Sequence, residues 1–351
     1  MKITGLSCHS RAMRLREPYT IAYETVDHCE NVFLRMETDM GITGMGCAAP
    51  DLPVTGETPE GVLDFFREVI EPLLMGCDPF EFARIMEDLK SAKDKNPSAL
   101  AMVDMALYDL MAKKAGVPLY KLLGGFRHSI PTSITIGILP VSETLAKARQ
   151  FLKQGFTILK LKGGADVNED IEKVIRIREI SNIVEIRFDA NQGYGVKDAL
   201  RFIEETRQAR IELLEQPTDK MNEDLLKQVS QHISVPVMAD ESLMTLKDVF
   251  RLTSNEATDM INIKLMKVGG ITEALHINSV AKAAGVEAMV GCMDESALGI
   301  HAGLHFALSR PNIAYADLDG HLDLEGDPFE GLFRLEDGIL YPGDFPGLSR
   351  Q

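Results

Sequence analysis

The chain's five cysteines, Cys8, Cys29, Cys47, Cys77 and Cys292, are odd in number and contain no C-x-x-C pair. That argues against a disulfide framework or a structural zinc site and leaves all five as free thiols. No apolar run reaches the roughly 18 residues that a membrane span requires. The opening MKITGLSCHS has neither the apolar core of a secretion signal nor the arginines of a transit sequence. A cytoplasmic protein with no membrane segment is expected. Basic residues are in short supply, since 37 Lys and Arg face 53 Asp and Glu for a net charge of −16. Such a surface repels phosphate backbones and argues against nucleic acid as a partner. A glycine-rich turn of the G-x-G-x-x-G type is absent as well, which counts against an open, doubly wound sheet that binds a dinucleotide.

What remains is an ordinary globular composition, 45% hydrophobic and 26% charged, in 351 residues. That length exceeds one core, so a barrel with an appended smaller domain is expected. Residues 1–120 read as an α+β unit. Segments 2–9 and 31–38 have strand character, TDMGITG reads as a turn into a strand at 42–47, and helical patterns cover 58–75 and 98–115, the second with Ser98 as N-cap and Gly116 as C-terminal stop. From residue 125 the pattern repeats. Apolar runs at 133–138, 157–162, 184–189, 211–215, 235–240, 260–264, 286–291 and 312–317 alternate with helical spacings at a period near 25 residues. Eight such units predict a parallel (β/α)8-type barrel over 125–319. The stretch 320–351 lacks a ninth unit and is expected to pack back on the first domain.

In such a barrel the active site forms at the C-terminal ends of the strands. In TILKLK, alternation puts Ile158, Lys160 and Lys162 on the inner face and Leu159 and Leu161 on the outer one. Later strands end in Asp189 (FDANQG), Glu215 (LLEQP), Asp240 (MADES), Lys264 (NIKLMK), and Asp317 with Asp319 (ADLDG). The intervals are 27 (162 to 189), 26 (189 to 215), 25 (215 to 240) and 24 (240 to 264), which is the repeat itself. Any one of these residues reads equally well as a helix cap or a solvated loop group. Together they converge on one mouth. Three carboxylates there repel unless a cation joins them, and hard oxygen donors suit Mg²⁺, placed on Asp189, Glu215 and Asp240. Lys162 and Lys264 come from strands on opposite sides of those three, so each can serve one face of a carbon acid. Lys160 is expected to push the Lys162 ammonium toward neutrality by repulsion. Asn191 and Glu241, just beyond two of the ligands, are expected to support them from behind.

KLK, DAN, EQP, ADES and IKLMKVGG in this order resemble the enolase superfamily in its muconate lactonising enzyme subgroup. The resemblance spans essentially the whole chain. It implies an α+β capping domain before a modified (β/α)7β barrel, Mg²⁺ on Asp189, Glu215 and Asp240, and Lys162 and Lys264 as acid/base groups with Lys160 beside the first. Reactions within the subgroup differ: cycloisomerisation, dehydration to succinylbenzoate, N-acylamino acid racemisation and dipeptide epimerisation. The Asp317-x-Asp319 pair resembles the one with which dipeptide epimerases hold the substrate's α-ammonium group, so a dipeptide is the expected substrate. The other subgroup reactions, and an inactive barrel acting as a binding protein, stay open as alternatives, as does a homo-oligomer. Side-chain selection is expected from the loops at 19–25 and 50–56, the loop after the seventh strand, and Thr135 on the first strand. Glu24 stands where some Ala-Glu epimerases carry a basic residue. With Asp51 and Asp294 it predicts cationic or neutral dipeptides over anionic ones.

Overall fold

In the computed structural model, which describes residues 1–20, 25–92 and 96–350, the chain opens with a three-stranded antiparallel sheet of β1 (Ile3–Thr20), β2 (Thr25–Thr38) and β3 (Thr43–Ala48). β1 and β2 run well beyond the segments expected at 2–9 and 31–38. Their extra length is carried by cross-strand pairs such as Arg14↔His28, whose exposed side chains hide the apolar alternation that marks a strand. The TDMGITG turn forms as expected, with Gly41 at φ 69°, a value that glycine adopts without strain.

The helical pattern over 58–75 is broken. Pro59–Phe65 is α-helical, Phe66–Ile70 forms a π-turn, and Glu71–Leu74 resumes the α-helix. A further helix, Phe82–Ala92, follows. The long helix is Pro97–Ala115, and its N-cap is Asn96 rather than Ser98. Pro97 takes the first helical position, where a missing N–H costs nothing. The N–H groups of Ser98 and Ala99, which have no partner within the helix, donate instead to the Glu57 carboxylate, at 2.8 and 3.1 Å. The helix ends on Gly116 at φ 72°, as expected.

Residues Ser98–Ala112 of this helix are all buried, because it packs on β3 on one side and on Leu265–Val268 of the barrel on the other. Gly44 and Gly46 make the first contact possible. A Cβ at either would collide with a helix carbonyl, that of Ala106 or Met102. Asp104 joins the helix to the barrel by accepting from the backbone N–H groups of Ile271 (2.5 Å) and Thr272 (3.1 Å), the first residues of the helix Ile271–Ala284. A buried carboxylate at that position answers both the open N–H groups and the helix dipole.

The second sheet has eight parallel strands: β5 (Ile134–Ile136), β6 (Ile158–Lys162), β7 (Glu185–Asp189), β8 (Leu213–Glu215), β9 (Val237–Ala239), β10 (Met260–Lys264), β11 (Glu287–Gly291) and β12 (Ile313–Asp317). They pair strictly in sequence order. The Ser133 N–H donates to the Ala316 carbonyl at 3.2 Å, which brings the first and last strands together and nearly closes the barrel. Each expected apolar run contains one strand, and a helix separates each pair of neighbours. Leu159 and Leu161 are buried in the shell between strands and helices, at 0% and 2% exposure, as the alternation requires.

No barrel helix follows β12. Residues beyond it form β13 (Arg334–Glu336), which pairs with β14 (Ile339–Tyr341), and β14 pairs in turn with β4 (Ile130–Pro131). The tail also crosses to the first domain. Arg16 N–H donates to Asp323 O at 2.8 Å, Glu325 N–H donates to Arg14 O at 2.9 Å, and Leu348 N–H donates to the Asp109 carboxylate at 2.7 Å. No helix among the described residues is long and apolar enough to cross a membrane. The five cysteines are free thiols.

Candidate active site

A cavity of about 440 Å³ opens where the C-terminal ends of the strands meet the β1–β2 hairpin. Lys160, Lys162, Asp240, Lys264, Asp317 and Asp319 all line it. Ligand oxygens of Asp189, Glu215 and Asp240 lie within 4.8 Å of one another, and all three residues are buried.

The ammonium groups sort themselves among these acids. Lys160 Nζ lies 2.8 Å from Asp317 Oδ2, 2.8 Å from Glu215 Oε2 and 3.2 Å from Asp189 Oδ2. Burial disfavours its charge, yet Asp317, Glu215 and Asp189 outweigh burial and hold it protonated well above the usual lysine range. Its charge is therefore matched by three carboxylates. Lys162 Nζ donates to Asp189 Oδ2 at 2.7 Å. Across the triad, Lys264 Nζ lies 2.9 Å from Asp240 Oδ2. Burial and the Lys160 charge work against the Lys264 ammonium too, but Asp240, Glu215 and Glu241 together outweigh them and raise the group.

Burial, followed by repulsion from Asp189, pushes the Glu215 carboxyl up to about 8. Such a shift is the cost of gathering three acids out of water. The site also holds acceptors that nothing among the described residues satisfies. Glu241 Oε2 and Asn191 Oδ1 are buried and accept no hydrogen bond, and Glu215 Oε2 meets Lys160 only as an ion pair. Clustered carboxylates beside unsatisfied oxygens fit a hard divalent cation such as Mg²⁺.

The remaining expected residues fall as follows. Asn191 N–H donates to Asp189 Oδ1 at 2.9 Å, and its side-chain amide donates to Glu241 Oε1 at 3.3 Å, so both stand behind the ligands. Asp319 Oδ2 accepts from the Thr135 N–H at 2.6 Å, and Asp317 Oδ1 accepts from Ser133 Oγ at 2.6 Å. Burial and then Asp317 push the Asp319 carboxyl up to about 7. Asp317 is instead held down near 2, because Lys160 and the Ser133 hydroxyl outweigh its burial. Asp51 and Asp294 line the same cavity. Glu24 lies outside the described residues.

Several site residues escape sequence reasoning. Asn262 donates from Nδ2 to Glu215 Oε1 at 2.8 Å. Lys267 is buried against Asp240, with Nζ 2.5 Å from its carbonyl and in contact with its carboxylate. Gln216 accepts from the Asp240 and Ser242 N–H groups at 2.9 and 3.1 Å. Asn262 shares the inward parity of Lys264 and Lys267 lies one turn beyond it, so alternation and the IKLMK spacing do contain a signal for both.

Residues 3–124 match the mandelate racemase/muconate lactonizing enzyme N-terminal domain, and residues 143–351 match the enolase C-terminal domain-like family. The chain belongs to this family of the enolase superfamily. Among curated members, the L-Lys-D/L-Arg epimerase of Desulforapulum autotrophicum is 43% identical over 351 residues, covering 99% of each chain. Among solved members, a substrate-liganded L-Ala-D/L-Glu epimerase from Bacillus subtilis superposes with a TM-score of 0.97 at 39% identity, over 99% of this chain and 98% of that one. The dipeptide epimerase of Methylococcus capsulatus, complexed with Mg and L-Arg-D-Lys, superposes with a TM-score of 0.94 at 39% identity over 99% of each. Members with quite different dipeptides are thus similar to one chain.

Proposed function

We propose that this protein is a Mg²⁺-dependent dipeptide epimerase that inverts the α-carbon of the C-terminal residue by two-base 1,1-proton transfer. The observation that carries the reading is the placement of Lys162 and Lys264 on β6 and β10, either side of the acids on β7 to β9. Asp189, Glu215 and Asp240 would hold the cation. When bound, it supplies positive charge against the negative charge that grows on the substrate carboxylate as the α-proton leaves.

The chain's own residues do the rest. One of Lys162 and Lys264, neutral at the start, removes the α-proton from its face. The other, protonated, returns a proton to the opposite face, and the roles exchange with direction. Asp317 and Asp319 hold the substrate's α-ammonium group, with Lys160, Ser133 and the Thr135 N–H fixing the two carboxylates. Neither an aromatic acid nor an N-acyl amino acid offers a cation there.

Among the described residues, Asp51 and Asp294 face the cavity without an ion-pair partner of their own. Buried or half-buried carboxylates of this kind call for a cation from outside. We therefore assign the protein cationic dipeptides, with neutral ones as poorer substrates. The test is incubation with Mg²⁺ and a dipeptide library in D₂O. Deuterium is expected at one α-position of Lys- and Arg-containing dipeptides, and exchange is expected to stop on chelation and to return with Mg²⁺. Turnover of N-succinyl amino acids with no exchange into any dipeptide would overturn the assignment.

A further inference from the structure

The loop between β11 and the helix Ala297–Ser309 carries Asp294, and it is braced from the first domain. Tyr19, at the end of β1, donates from its hydroxyl to Asp294 Oδ2 at 2.7 Å. Asn31, on β2 and only 1% exposed, donates from Nδ2 to the Asp294 carbonyl at 3.1 Å and accepts the Ser296 N–H at 2.7 Å. Asp327 of the tail fastens the far end of the loop by accepting from Ser296 Oγ and the Ala297 N–H, both at 2.6 Å. Backbone and side chain of Asp294 are thus fixed by different residues. Asn31 and Asp327 set the path of the loop, and Tyr19 alone sets the direction of the carboxylate.

Tyr19 Oη is the one donor that the described residues offer this carboxylate. Its second oxygen is left for whatever enters the cavity. A carboxylate anchored at one oxygen by a neutral donor keeps its charge and presents the other oxygen in a fixed position. That is what recognition of an ammonium or guanidinium group requires. Without the anchor, a half-buried Asp beside other acids is free to turn away or to take up a proton.

We propose that Tyr19 is a specificity-determining positioning residue, which aims the Asp294 carboxylate into the mouth to receive the cationic side chain of the dipeptide. The inference rests on the cationic-dipeptide reading above. It also gives the first domain a direct part in selection through a residue that carries no charge.

The charged groups that act on Asp294 are Asp51, Lys162 and Asp323, with burial dominating and the Tyr19 bond opposing it. Together they bring its carboxyl up to about 6. Removing the hydroxyl in Tyr19→Phe raises it further, so recognition of a cation fails earlier on acidification. The experiment compares kcat and KM for L-lysyl-L-arginine and L-leucyl-L-alanine in the wild-type, Tyr19→Phe and Asp294→Asn enzymes with Mg²⁺ across pH 5–9. Tyr19→Phe is expected to lower the ratio of kcat/KM, cationic over neutral, about tenfold. The change should sit mainly in KM, and the acid limb for the cationic dipeptide should move to higher pH. A role confined to general structure would move both substrates and both constants together, and that result overturns the inference. Asp294→Asn separates the two levels of argument. If it leaves the ratio intact, the cationic reading of this part of the cavity is wrong. If it collapses the ratio while Tyr19→Phe does not, the reading stands and the role of Tyr19 falls.

Discussion

Lys162 and Lys264 reach the mouth from strands separated by three others, so in the proposed mechanism loss of one leaves the other's proton transfer intact. Lys162→Ala and Lys264→Ala are each expected to lower epimerisation by roughly 10²–10⁴-fold. Each should retain α-proton exchange from only one epimer, the opposite one in the two variants. Mass spectrometry of the L,L and L,D dipeptides in D₂O reads this directly, and survival of turnover in both directions in either variant would remove the two-base mechanism. At this scale much of the site was legible. Strand-end residues at the repeat period can converge only on one mouth, and the Lys-Asp-Glu-Asp-Lys order names the chemistry. The loop at 19–25 was marked for selection, but the contact of Tyr19 with Asp294, and Asn31 altogether, were not legible, because each is an ordinary strand residue whose partner lies more than 260 positions away. The ion pairs of Lys160 were hidden for a similar reason. The sequence brings Lys162 near it, whereas the fold adds Glu215 and Asp317, each 2.8 Å from its ammonium.

Among the elements, the barrel strands were easiest to read and the first domain hardest. A strand covered on both faces is almost wholly apolar and stands out between helices. β1 has a largely solvated second half and does not. The single helix expected over 58–75 failed at Phe66–Ile70, since apolar periodicity cannot register one extra residue in a turn. The contact between β3 and the Pro97–Ala115 helix depends on two missing side chains, and it sets the position of the sheet that carries Tyr19 and Asn31. Gly46→Ala forces a methyl group against the Met102 carbonyl and is expected to cost about 3 kcal/mol, toward the upper end for an overpacked core. The midpoint of urea unfolding measures it, and a variant as stable as the wild type would show that the helix can retreat.

At the scale of the whole molecule, the tail is held by a chain of two buried imidazoles. His305 Nδ1 accepts the Tyr120 N–H at 2.8 Å, so its proton lies on Nε2 and points at His301 Nε2, 2.8 Å away, while His301 Nδ1 donates to Leu348 O at 2.8 Å. Burial, helped by nearby Arg350, lowers His301 to about 4. An imidazole in the unfolded chain titrates near 6.5, so the folded state binds protons less readily. The attachment is therefore at full strength above about 6.5 and loses on the order of 3 kcal/mol as pH falls toward 4. Asp104 and Glu295, pushed up by burial to about 6 and about 8, shift overall stability the other way, so the measurement has to be local. Hydrogen-exchange protection of the amides at 343–349 is expected to drop between pH 7.5 and 5 relative to the barrel strands, and equal protection at both would refute it.

Asp109, on the long helix of the first domain, accepts from the backbone of Met45 and from Leu348 and Ser349. Until Leu348 and Ser349 dock, that buried acid keeps the Met45 N–H and the Lys113 ammonium but lacks its other donors, within the helix that supports the hairpin bearing Tyr19. In the proposed scheme, the fit of the mouth to its substrate leans on Leu348, a residue that lines no part of the cavity.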